Sequence, residues 1–275
     1  MIESIDHRVN VVLFSGGRGS SVLTKQLLHH KEVNLALIIN GYDDGLSTGE
    51  VRRFLGDCLG PSDFRKNASR VALELASCEP GWITLLDLRF PVTISESLVD
   101  ATLSLLTLTP SGCDDPFYGQ LEELHGSLEY QTQQQLAERM TAFRRALDSA
   151  KEGFDFSDCS IGNLVFAGSF LVCDRQFNRA VDDYSMLLGL PEGLIVNVTQ
   201  GENAFLVATN ENGEYLKSEA DIVDAGRRNH IQDIFLLKQP FSPAPSRLSA
   251  KALQEDLVEQ SMPLQLNPQV VTVNG

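Results

Sequence analysis

The stretch that most constrains this chain is Val9–Ser21, VNVVLFSGGRGSS, a buried strand running into a glycine–serine loop and the first turn of a helix. Val9, Val11, Val12, Leu13 and Phe14 form the short β-branched and bulky run of a strand covered on both faces. Gly16, Gly17 and Gly19 let the backbone turn sharply and approach a ligand closely. Ser20 or Ser21 is placed to cap a helix carrying Val22, Leu23, Leu27 and Leu28. Free N–H groups at such a helix start attract an anion, with the helix dipole behind them. The loop is not of the Walker A type, because no Gly-Lys-Ser/Thr closes it, and Val22 stands at the third glycine position of G-x-G-x-x-G. Two readings therefore stay open: a phosphate-binding loop, and a tight βα turn that merely needs glycine.

Val33–Asn40, VNLALIIN, is a second buried strand that ends in Gly41-Tyr42-Asp43-Asp44-Gly45. Strand, glycine loop, helix, strand and terminal acid follow the order of a Rossmann-like βαβ unit. There one acid serves a ribose hydroxyl, and a second can hold Mg²⁺ against phosphate oxygens. Asp43 and Asp44 would also suit an ordinary turn. Their place beyond a parallel strand, on the side of the glycine loop, favours a functional role.

Further along, Asp63 reads as the N-cap of a helix bearing Ala68, Val71, Ala72 and Leu75, with Arg65 and Lys66 in its first turn, where the dipole disfavours cations. Trp82–Leu88 reads as a strand, Ser95 onward as a helix, and Leu121–Ala150 as a long polar helical region with His125 at its surface. Ser160-Ile161-Gly162-Asn163 opens a helix that is apolar on nearly all sides and therefore central. Gln176–Leu188 continues as a helix, and strands follow at Leu194–Thr199, Ala204–Thr209, Glu214–Ser218 and Ile231–Leu237, with a hairpin turn at Asn212-Gly213. Leu248–Gln260 is a weak helix and Val270–Gly275 a tail.

A length of 275 residues allows one large core or two modest ones. The net charge of −15 argues against a nucleic-acid backbone as partner. It does not exclude a nucleotide held by backbone amides. No apolar run approaches a membrane span and Met1–Arg8 has no signal-peptide core, so the expected compartment is the cytoplasm. The five cysteines, Cys58, Cys78, Cys113, Cys159 and Cys173, form no C-x-x-C pair and read as reduced packing thiols.

Four blocks, SGGRGSSVLTKQL (15–27), NGYDDGLSTGEVRRFL (40–55), GPSDFRKN (60–67) and SIGNLVFAG (160–168), occur in the order found in the superfamily of 2-phospho-L-lactate transferase (CofD) and the YvcK gluconeogenesis factor. The chain resembles that superfamily over roughly residues 9 to 240, and ATNENGEYLKSEADI (208–222) and IQDIFL (231–236) look like its hairpin and following strand. The resemblance implies an α/β, Rossmann-like three-layer fold with a mostly parallel sheet and a β-hairpin insertion. The domain would span 1–240, and residues 241–275 would form a tail that begins a missing final segment. The transferase branch moves a phospholactyl group from a guanosine-diphosphate-activated donor with Mg²⁺, whereas the YvcK branch binds UDP-sugars.

Carried over residue by residue, the resemblance makes Asp43, Asp44 and Arg18 the catalytic candidates, with Asp44 on Mg²⁺. It makes Ser15, Gly16, Gly17, Gly19, Ser20, Ser21, Asn40, Ser47, Asp63, Arg65, Asn67, Gly162 and Asn163 the ligand-binding ones. Several positions depart from the family pattern. Arg18 replaces a threonine, Cys159 a frequent histidine, and Asn67 falls one residue late, about 100° round its helix. Relatives also continue into a further strand and phosphate loop beyond the position of Gly275 here, which implies an exposed sheet edge and an aggregation liability. Two function classes follow: a transferase acting on a nucleotide-diphosphate-activated donor, and a non-catalytic UDP-sugar or nucleotide sensor. Either takes a nucleotide or nucleotide-sugar partner, with neither nucleic acid nor membrane, and leaves a homodimer open.

Overall fold

Strand β1 (Val9–Ser15) pairs in parallel with β2 (Val33–Ile39), Val9 opposite Val33 through to Ser15 opposite Ile39. Helix α1 (Ser21–Leu28) makes the crossover between them. The computed structural model describes residues 8–16, 19–217, 221–222, 230–241, 250–263 and 265–272. On β2, Leu35, Leu37 and Ile39 enter the main core, while the intervening Ala36 and Ile38 enter a small cluster with Val196 and Val270 on the opposite face. This alternation is the period-two signature of a strand buried on both faces.

The helical layer covers the first face. It comprises α2 (Leu46–Leu55), α3 (Ser62–Leu75), α4 (Pro80–Asp87), α5 (Glu96–Leu106), α6 (Pro116–Ser127), α7 (Tyr130–Ser149), α8 (Ile161–Val172) and α9 (Phe177–Leu187). Helix α8 is the centre of that layer. All residues from Ile161 to Phe170 are buried, and α8 packs against α2, α3, α4, α7 and α9. Each Leu, Val or Phe side chain so removed from water contributes about 1.5–3 kcal/mol.

Strand β3 (Ile195–Asn197) adds in parallel to β2, which gives the order β1-β2-β3. A separate antiparallel sheet follows, ordered β5-β4-β6, from β4 (Phe205–Asn210), β5 (Tyr215–Leu216) and β6 (Ile231–Leu237). Gly213, at φ 75°, makes the β4–β5 turn as Asn-Gly predicts. The helix Ala250–Gln260 lays Leu253 and Leu257 on this second sheet, and Val270 reaches the parallel one, so the segment expected as a tail packs on both. No helix among the described residues is long and apolar enough to cross a membrane.

Several sequence expectations are corrected. The strand over Trp82–Leu88 is helix α4: Pro80 presets its first turn, and Trp82, Ile83, Leu85 and Leu86 share one buried helical face, which a short apolar run does not reveal. The first strand is not covered on both faces, because Phe14 is 67% exposed, and among the described residues β1 has no partner strand on its outer side. The single mostly parallel sheet resolves into two sheets, and the layer over the second face of the parallel sheet is thin. His125 is buried rather than superficial. It falls one turn after Leu121 on the same face of α6, and burial lowers its pKa, which keeps the ring neutral.

Candidate functional site

The start of α1 is uncapped. Ser20 occupies the cap position without bonding a helix amide, and its Oγ hydrogen-bonds Ser15 Oγ instead. The Ser20 side chain therefore leaves the first-turn amides of α1 unbonded by it, and Gly16 and Gly19 are exposed, with open space where a Cβ would stand. Gly17 and Arg18 lie outside the described residues.

Asn67 holds the near end of this loop. Its Nδ2 donates to Gly16 O at 3.0 Å and to Asp63 O at 2.8 Å, and Ser15 Oγ lies 3.3 Å from its Oδ1. Asn67 is fully buried, so it braces the loop. Asn67 thus faces the glycine loop, while Arg65, two residues earlier, faces α8 through Asn163.

The loop after β2 folds on itself. Asn40 Oδ1 accepts from Tyr42 N at 3.2 Å, and Asp43 Oδ1 accepts from Gly45 N at 2.9 Å. Two glycines that sequence reasoning did not place in the site press against it. A Cβ on Gly49 would run into Asp44 O, and one on Gly60 into Asp43 O and the Thr48 methyl at 2.7 Å. Leu46 opens α2 at φ 43° with its side chain 87% exposed, a costly left-handed backbone for a branched residue beside the acids.

Asp63 is not the cap of α3. Pro61 takes that place and the helix begins at Ser62, which puts Asp63 in the first turn. There burial raises its pKa, Lys66 opposes the shift, and the nearby Asp43 carboxylate adds to it. Asp43 and Asp63 are each half-buried and interact through charge, with Lys66 Nζ 3.8 Å from Asp63. Among the described residues no three His, Cys, Asp or Glu side chains converge on a metal position. Two carboxylates plus phosphate oxygens suit Mg²⁺, which keeps several waters and seldom needs an all-protein cage. Asp44 faces the other way in charge terms: burial pulls the Arg52 guanidinium down, and Asp44 is the strongest of the groups opposing this.

The start of α8 is closed by the protein itself. Asn163 N donates to Ser160 Oγ at 3.3 Å, Arg65 Nε donates to Asn163 Oδ1 at 3.1 Å, and Asn163 Nδ2 donates to Ser47 Oγ at 3.2 Å. Arg65 completes its pairing with Asp87, and Gly162 lies against Arg65 and Leu86 O. Buried Arg65, Gly162 and Asn163 and half-buried Ser47 are therefore brought together, tying α2, α3 and α8. A cavity of about 460 Å³ opens beyond the carboxyl end of β3, lined by Gln176, Asn178, Gln200 and Glu202 among others. Cys58 and Cys159 have their thiols pushed up by burial, Cys159 to about 12, so neither is an available nucleophile.

A family model described as 2-phospho-L-lactate transferase CofD matches residues 11–258. The gluconeogenesis factor of Listeria innocua serovar 6a is 36% identical over 89 residues, 32% of this chain and 26% of that protein. That of Listeria monocytogenes serovar 1/2a is 37% identical over 82 residues, 30% and 24% of the two chains. A UPF0052-family protein of Bacillus halodurans superposes with a TM-score of 0.51 at 22% identity, over 83% of this chain and 51% of its own. A second Bacillus halodurans crystal structure gives 0.50 at 21%, over 92% and 57%. These two likenesses concern the fold, and the chain spans about half the length of the solved chains and matches about a quarter of the Listeria proteins. With the model covering most of its length, the chain belongs to the 2-phospho-L-lactate transferase CofD family.

Proposed function

We propose that this chain binds a nucleotide-diphosphate-activated donor and transfers its substituted phosphate group, as a CofD-like transferase. The observation that carries the reading is Asn67, whose amide touches both Gly16 of the uncapped α1 loop and the backbone of Asp63. Asn67 thereby ties the glycine loop to the first turn of α3, which carries Asp63. In this reading the α1 amides hold the diphosphate. Asp43 and Asp63 would hold Mg²⁺, which would supply charge neutralisation at the phosphate oxygens. The protein's own contribution is positioning and charge stabilisation in a preformed site. The cavity beyond β3 gives room for the remainder of a ligand.

A second reading is favoured by the Listeria relatives, whose name is gluconeogenesis factor and whose identity to this chain exceeds one third. In it the same site binds a UDP-sugar and reports on it without turnover. Thermal-shift titration with GDP-linked donors, nucleoside diphosphates and UDP-sugars, with and without Mg²⁺, tests both. A true ligand at 100 times its Kd stabilises by about 2.7 kcal/mol. Asp43→Asn abolishes turnover in a transferase and only weakens binding in a sensor. No shift with any nucleotide, in either condition, removes both readings.

A further inference from the structure

Arg52 lies on the buried face of α2 and is 6% exposed. In the sequence it is one of two adjacent arginines on a short helix, with nothing to set it apart from Arg53. In the fold the two separate: Arg53 pairs with Glu50 and Glu152 at the surface, while Arg52 turns inward. Its Nη1 donates to Tyr42 O and Asp43 O, each at 3.2 Å. Its Nη2 donates to Asn203 Oδ1 at 2.9 Å and Ala204 O at 2.6 Å. The guanidinium also stands 5.4 Å from the ring centroid of Phe205, the first residue of β4.

We infer that Arg52 is a positioning residue for the acid loop: it acts through the Tyr42 and Asp43 carbonyls to aim the acidic side chains, and it anchors that loop to the head of β4. The inference rests on the proposed role of Asp43 as a Mg²⁺ ligand. A planar fork of donors can grip two chain segments at once, which a lysine ammonium cannot do from one point. A buried charge is a poor way to gain stability alone, since apolar packing commonly serves as well or better. Here the charge is spent on carbonyls of the segment that carries two acids, and Asp44 and Asp43 both favour its charged form. The loop is also fixed from its other side, where Gly60 N donates to Gly41 O at 2.7 Å. Arg52 and Gly60 together fix the backbone from which the two acids project, and Gly45 N, donating to Asp43 Oδ1 at 2.9 Å, orients one of them.

The test uses the whole chain with two substitutions, Arg52→Lys and Asn203→Ala, the second trimming only the far end of the tie. Calorimetric titration with GDP and UDP, each with and without Mg²⁺, separates the metal contribution from the diphosphate contribution. The expected result is metal-free affinity unchanged in both variants, with the Mg²⁺-dependent gain reduced about 10-fold in Arg52→Lys, the scale for a side chain that orients a metal ligand. Asn203→Ala shows a smaller loss of the same kind. The inference is overturned if both variants keep the full Mg²⁺ gain, or if metal-free and metal-bound affinity fall in step with melting temperature. If the unsubstituted protein binds neither nucleotide, the proposed function fails, and hydrogen exchange without ligand still decides the tie. Faster exchange at the Gly45 and Gly60 amides in both variants supports it, and unchanged exchange overturns it.

Discussion

Asp63 shows at the scale of one residue how a site and its cost coincide. Burial and the Asp43 carboxylate raise its pKa above the ordinary carboxylate value, so the native state binds this proton more tightly than the unfolded chain. Stability from this group therefore falls as pH rises from the unfolded to the raised native value, and it is restored on acidification through that window. Asp63→Asn removes the penalty. At pH 7–8 without Mg²⁺ the variant is expected to melt higher, by about 2–4 °C for each kcal/mol regained. Below the ordinary carboxylate range the difference closes, because both proteins are then neutral at this position. Mg²⁺ should stabilise the unsubstituted protein at neutral pH and leave Asp63→Asn unmoved. A variant that melts lower at every pH, or gains equally from Mg²⁺, contradicts the carboxylate pair. The acids were legible as candidates because they end a buried strand and open a helix. The influence of Asp43 on Asp63 was not, since the two are 20 positions apart and meet only through the way α2 and α3 fold back.

Among the elements, α8 carries most of what the rest depend on, and its crossing with α7 is the tightest contact it makes. A Cβ on Gly168 would run into the Arg139 carbonyl and meet the Arg139 Cβ at 2.8 Å. Backbone so close cannot yield as a flexible side chain would. Arg139 is itself fixed by Asp183 of α9, at 2.6 Å, so the helices cannot separate locally. Gly168→Ala is expected to destabilise by about 1–3 kcal/mol or more, the range of overpacked cores, against the slight gain alanine brings in a loose helix. Urea unfolding measures it, and a neutral result would mean that α7 can shift. That α8 is central could be read from its all-round apolar sequence. The reason for Gly168 could not, because it lies in a carbonyl 29 positions earlier in the chain. The same limit explains α4, whose short apolar run suits either a strand or a helix until Pro80 and the Leu187 carbonyl, which accepts from Trp82 Nε1 at 3.2 Å, decide it. Hairpin and strand signals near Asn212-Gly213 were local, and they held.

For the whole molecule, the open side of β1 sets the association behaviour. Val9 is 60% exposed, Phe14 67%, and Val22 of α1 73%, so β1 presents apolar side chains on both of its faces beside a strand edge with no partner strand among the described residues. Such an edge is a template for pairing with another chain. The net charge of −15 opposes approach of two copies, and that repulsion is long-ranged only while salt is low. Raising ionic strength shortens the Debye length from about 30 Å at 0.01 M to about 8 Å at 0.15 M, while the apolar contact is unaffected. Self-association should therefore grow with salt, the reverse of an assembly held by ion pairs. Val9→Lys places a charge on the edge at the end of β1 opposite the glycine loop. Sedimentation velocity at matched concentrations should show this variant remaining monomeric at salt levels where the unsubstituted chain associates, with Mg²⁺ and nucleotide responses unaltered. Association that weakens with salt, or that Val9→Lys leaves untouched, would place the contact elsewhere on the surface.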